Sequence, residues 1–127
     1  LGRAVDYCAA AGIRLYRLSS DLFPFADEPI GRETLEEFTA ELASIGGRAT
    51  RNGLRMVIHP DQFVVLSSDT PSVVENSVKL LKMHAAILDL LQQPRSEWAT
   101  MNIHGGKSDR TDRLVAAIAE LPENVHS

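Results

Sequence analysis

The sequence predicts an α/β fold of parallel strands joined by crossover helices. Four helix-like stretches alternate with three strand-like ones, opening and closing on a helix. The strand ends recur at intervals of about forty residues, room for one helix and its two loops. No apolar run is long enough to cross a bilayer, which leaves a globular chain. This rhythm suits either a closed barrel or an open sheet. No glycine-rich turn follows a strand, so a dinucleotide-binding reading is weak.

The elements follow in order. Residues 2–11 read as a helix stopped by Gly12. Residues 13–19 carry Ile13, Leu15 and Leu18 among polar residues, a strand pattern. Pro24 and Pro29 mark the next loop. Residues 32–51 read as one helix, with Leu35, Phe38, Leu42 and Ile45 on its apolar face. Glu33, Glu36 and Glu37 fall in its first turns, where the helix dipole favours negative charge. Gly46-Gly47 weakens its last turn. Residues 54–58 form a short buried strand ending at His59-Pro60. Residues 72–92 are the clearest helix, with Val74, Val78, Leu81, Ala85 and Leu88 in one stripe, Thr70 or Ser72 as cap and Pro94 as stop. Residues 98–103 read as the third strand, and 109–121 as a last helix with Leu114, Ile118 and Leu121 on one face.

Composition bounds the function. The 127 residues hold 13 basic and 17 acidic side chains, a formal charge of −4, with 44% apolar and 24% charged residues. That is a globular composition rather than a disordered one. Weak acidity argues against a general nucleic-acid coat, but not against a local site. A single cysteine, Cys8, excludes an internal disulfide and an all-cysteine zinc site. The chain opens on Leu1 without a secretory signal and closes just past a helix-like segment. It reads as cytoplasmic, and as a fragment of one domain.

In such folds, polar side chains at the C-terminal ends of strands face the active site. The three ends carry Ser19-Ser20-Asp21, His59-Pro60-Asp61-Gln62-Phe63 and Asn102-Ile103-His104-Gly105-Gly106. His59 and His104 occupy equivalent places one strand–helix unit apart. Neighbouring strands lie roughly 5 Å apart, so two imidazoles at adjacent tips can reach one metal. Two such ligands suit zinc, manganese or iron alike. Asp27 and Glu28, after the first strand, are weaker candidates. Mid-helix His84 reads as a core or supporting histidine, His126 as solvated, and Cys8 as packing.

The stretches IRLYRLSSDLFPFAD, VIHPDQFVVLSS, SVKLLKMHAAILDLL and MNIHGGK, in this order, resemble the UV damage endonuclease (UvdE) family. The resemblance implies a TIM (β/α)8 barrel, related to endonuclease IV and the xylose-isomerase-like barrels, with a cluster of two or three divalent ions, usually manganese. It implies nicking of double-stranded DNA immediately 5′ to UV photoproducts and related lesions, by a monomer that needs no membrane. Carried over by motif, His59 and His104 match histidine metal ligands. Asp27 and Glu28 stand where the family has a further histidine, which makes Glu28 a candidate ligand. Gln62 and Phe63 match a pair, usually glutamine then tyrosine, that the family inserts at the damaged bases; Phe63 keeps the stacking face and lacks the hydroxyl. Ser20 of RLSSDLFP is a further candidate DNA contact. Such a barrel needs roughly 250 residues. Residues 1–127 are therefore expected to supply about three of its eight strands, the N-terminal to central part of one domain, with further acidic and histidine ligands on later strands. A sugar isomerase or epimerase on the same barrel, or an inactive fragment, are the competing readings.

Overall fold

The structure, a computed structural model, describes residues 1–24 and 28–126. Helix α1 (Gly2–Ala10) buries Val5 and Cys8 on one face. It stops where Gly12 adopts φ +69°, a left-handed conformation open to glycine. Strand β1 (Leu15–Ser19) follows. It is shorter than predicted, with Ile13 outside it.

The predicted helix over 32–51 is two helices, α2 (Pro29–Glu37) and α3 (Thr39–Arg51). Pro29 starts α2 early, because its fixed φ suits a first helical turn. Phe38 separates the two at φ −93°, ψ 6°. Its N–H donates to Leu35 O at 3.1 Å, the tighter i→i−3 bond of a helix end. The Thr39 hydroxyl caps the break by donating to Glu36 O at 2.8 Å. The break changes the phase of the apolar face: Leu35, Leu42 and Ile45 are buried, whereas Phe38 is 43% exposed. It also corrects the dipole reading. Glu33, Glu36 and Glu37 lie in the middle and last turns of α2, not its first.

Strand β2 (Arg55–His59) pairs with β1 in parallel, from Leu15 opposite Arg55 to Ser19 opposite His59. Met56, Val57 and Ile58 are buried. Helix α4 (Pro71–Leu90) returns across the sheet, and Thr70 occupies its N-cap position without a side-chain bond. Its C-terminus lies before Pro94: Leu91 ends it and Gln92 turns the chain at φ 52°. The buried Gln93 side chain secures that turn, donating to Leu91 O at 2.9 Å.

The third predicted strand is reduced to one parallel bridge, Ile58 with Met101. Two bonds make it, Ile58 N–H to Thr100 O and Asn102 N–H to Ile58 O, both 3.0 Å. Upstream, the backbone turns instead of extending, with Ala99 N–H donating to Ser96 O at 3.0 Å. Arg55 holds that turn through Trp98 O at 2.9 Å and Glu97 O at 2.6 Å. The predicted last helix is α5 (Thr111–Ala119), followed past Pro122 by the short α6 (Glu123–His126).

The main core joins Val5, Cys8, Leu42, Ile45 and Ala49 to Leu18, Met56 and Ile58 of the sheet and to Leu88 and Leu91. A second core, Val64, Leu66 and Leu81, is covered by Leu114, Ile118 and Leu121. The fold is mixed α/β around a two-stranded parallel sheet. Among the described residues, no helix is long and apolar enough to cross a membrane.

Candidate active site

His59 is the last residue of β2, and Pro60 stops the ladder there by lacking an N–H. The Ile58–Met101 bridge sets the register of the neighbouring segment, so His104 arrives beside His59. The two Nε2 atoms face each other at 3.1 Å, with ring centroids 4.9 Å apart and planes at 88°. As neutral imidazoles, one donates its Nε2–H to the other, so the two hold opposite tautomers. Two nitrogens bound to one ion at about 2.0–2.1 Å each, and roughly 100° apart, also stand about 3.1 Å from one another. The pair fits two ligands of a single ion. Among the described residues, no group of three or more His, Cys, Asp or Glu is placed to hold a metal.

A buried clamp fixes the His104 loop. Ser67, fully buried, donates its hydroxyl to Gly105 O at 3.0 Å. Gly106 lies against it at φ +75°, where a Cβ would stand 2.2 Å from Ser67 Oγ. Sequence reading missed Ser67, because a serine in a loop carries no periodic signal.

The turn after His59 shapes the second feature. Asp61 Oδ1 accepts the Phe63 N–H at 3.0 Å, and Asp61 O accepts the Val64 N–H at 2.9 Å. Val64 is buried and anchors the turn. Phe63 projects at 74% exposure, unusual for a large apolar side chain held in an ordered turn. Arg17, Ser19, Ser20, His59, Gln62 and His104 line one cavity of about 390 Å³. The structure thus brings Ser20 and Gln62 to the histidines.

Glu28 is not among them. It lines a separate cavity with Phe63, Asn76 and Leu80, and its carboxylate lies 3.7 Å from Lys79 Nζ. Glu28, a candidate ligand by sequence, is thus placed against α4 rather than in the cavity of the histidine pair. Asp27 lies outside the described residues.

Two other titratable groups stand out. Asp69 gathers Lys107 at 3.0 Å, Arg110 at 3.3 Å and Arg113 at 2.5 Å. The Lys107 hydrogen bond, with the charges of Arg110 and Arg113, holds its carboxyl below the usual value. This ties the loop before α4 to the start of α5. On α4, His84 is 2% exposed and its Nδ1 has no hydrogen-bond partner among the described residues. Burial pushes its pKa down, against a weaker pull upward from Asp21.

The model of the UV-endonuclease UvdE family matches residues 1–127. The chain is 51% identical over 126 residues to the UV DNA damage endonuclease of Nostoc sp., covering 98% of this chain and 39% of that protein. It is 44% identical over 125 residues to the UV DNA damage endonuclease of Deinococcus radiodurans, covering 96% and 41%. It therefore spans about two fifths of the length of these relatives. The crystal structure of SacUVDE superposes with a TM-score of 0.87 at 26% identity, over 98% of this chain and 44% of that one. Matched by the family model from its first residue to its last, the chain belongs to the UV-endonuclease UvdE family.

Proposed function

We propose that this chain is the N-terminal to central part of a (β/α)8-barrel, metal-dependent endonuclease that nicks damaged double-stranded DNA 5′ to UV photoproducts and related lesions. The observation that carries the reading is the opposed histidine pair, Nε2 to Nε2 at 3.1 Å, beside a turn that presents Gln62 and an exposed Phe63. A divalent ion, expected to be manganese, would polarise the scissile phosphate and supply an activated water at neutral pH. His59 and His104 are the residues that would hold that ion. Ser67, through Gly105, keeps His104 in place. Hydrolysis leaves a 3′-hydroxyl and a 5′-phosphate.

Gln62 and Phe63 supply damage recognition. An aromatic face stacked on a base contributes about 1–3 kcal/mol. Opening a base step costs least where a lesion already disturbs the stack. A rigid turn lowers the entropy lost on insertion. The partner surface is therefore distorted duplex DNA, read by a wedge next to the hydrolytic centre.

The test is a manganese-dependent nicking assay on UV-irradiated supercoiled plasmid. The enzyme is the Nostoc relative with this chain in place of its matching segment, which keeps the relative's full length. The chimera should nick irradiated plasmid. His59→Ala or His104→Ala should lower the rate by at least about a thousandfold, the scale of lost metal-ion catalysis. Near-normal nicking by either variant sinks the assignment. The double change Gln62→Ala, Phe63→Ala should narrow the preference for irradiated over intact plasmid more than it slows cleavage.

A further inference from the structure

Leu15, Arg17 and Ser19 alternate onto one face of β1. The register sets Ser19 opposite His59 and Arg17 opposite Val57. Arg17 therefore lies on the face that carries His59, one step back from the strand end. It is exposed and lines the same cavity as Ser19, Ser20, His59 and His104. Among the described residues, no hydrogen bond or ion pair engages its side chain.

Arg55 provides the contrast. It occupies the first position of β2 on the same sheet, and its guanidinium is held by two backbone carbonyls, at 2.9 and 2.6 Å, and by the Trp98 ring at 5.6 Å. Arg55 is a structural tie, whereas the Arg17 guanidinium has no bonding partner among the described residues. Among the described residues that line the cavity, the one carboxylate is Asp61, which already uses Oδ1 to hold its own turn. Ser19 Oγ accepts the Asp21 N–H at 3.2 Å, which leaves its O–H free to donate into the cavity.

We propose that Arg17 makes this cavity an anion site that takes a tetrahedral phosphate, and that in the DNA reading above this is a backbone phosphodiester held beside the histidine pair. A guanidinium fork matches two phosphate oxygens at once, and the hydroxyls of Ser19 and Ser20 offer donors for a third. The identity of the phosphate rests on the nuclease reading; the anion site itself does not.

The experiment titrates inorganic phosphate into this chain in the presence of a chelator, read by phosphorus NMR line width, so that no divalent ion contributes. Arg17→Met should weaken phosphate binding about tenfold or more, and Arg17→Lys should retain part of it, because the charge stays and the bidentate geometry is lost. Arg14→Met, at an exposed arginine outside the cavity, should bind as the parent does. Because no described residue bonds the Arg17 side chain, the variants should keep the parent's circular dichroism. Equal binding by Arg17→Met and the parent, equal loss in Arg14→Met, or no phosphate binding by the parent overturns the proposal. Failure of the chimera to nick, with this titration intact, would overturn the nuclease reading and leave the anion site standing.

Discussion

His84 shows how one side chain couples the fold to pH. It lies 2% exposed on α4, with Nδ1 unpartnered among the described residues, so the fold disfavours its charged form. Desolvation lowers its pKa from 6.5, and Asp21 opposes this only in part. The neutral ring is thus the form the native state prefers. Its contribution is fully present above about pH 6.5 and is lost as pH falls from there toward the folded value, because the unfolded chain takes up the proton first. Urea midpoints at pH 7.5 and 5.5 should fall for the parent. His84→Leu should remove the part of that fall due to this ring, and at pH 7.5 should cost less than about 1 kcal/mol, since it also removes an unsatisfied buried nitrogen. Identical pH slopes in parent and variant would show that His84 does not carry this effect. The sequence identified this residue as a core histidine from its leucine neighbours at i−4 and i+4, and identified His59 and His104 from their matching strand ends. It did not yield Ser67 or Arg17. Their roles depend on residues far along the chain, and neither sits in a periodic pattern that marks it.

Between elements, adjacent glycines in α3 have opposite roles. Gly46 meets the end of α4 so closely that a Cβ would stand 1.7 Å from Leu91 O, a backbone atom that cannot swing away. Gly47 faces only the end of a flexible side chain, Arg51 Nη1 at 3.3 Å. Gly46→Ala should therefore destabilise by about 3 kcal/mol through forced separation of α3 and α4. Gly47→Ala should stabilise by about 0.5–1 kcal/mol through helix propensity. Urea unfolding of both variants checks the pair, and equal effects would remove the packing argument. Read locally, Gly46-Gly47 looks like the fraying end of a helix. In the fold, α3 runs through both, because contact with α4 offsets the propensity lost. The break at Phe38 is the converse: helical spacing continued through 38 on paper, while Pro29 and the Thr39 hydroxyl favoured two helices. The third strand was legible as an extended segment but not in its length. Its pairing with Ile58 is a single bridge, and Arg55 draws the preceding carbonyls into a turn.

Across the whole molecule, the alternation of strands and helices was legible because it is written in local periodicity and loop residues. The site was legible because parallel strands place their C-terminal ends on one side. Its closure is a long-range property. His59 and His104 are 45 residues apart in sequence, and the segment between them includes all of α4. An ion held by both nitrogens would bind only the folded chain, so binding must raise stability by mass action. With manganese or zinc at a hundredfold excess over its dissociation constant, the gain is about 2.7 kcal/mol, or roughly 8 °C in the unfolding midpoint for a chain of this size. A chelator should reverse it. His59→Ala or His104→Ala should abolish the response while leaving the metal-free midpoint nearly unchanged, because the two rings contribute one exposed contact to the fold. Ser67→Ala should weaken the response without abolishing it: His104 remains, but the clamp on its loop through Gly105 is gone. A midpoint indifferent to every divalent ion would reduce the 3.1 Å contact to a hydrogen bond between two rings. Unfolding that shifts equally in the histidine variants would move the ion elsewhere on the chain. Only a shift that both histidines are needed to produce assigns the ion to the two strand ends together.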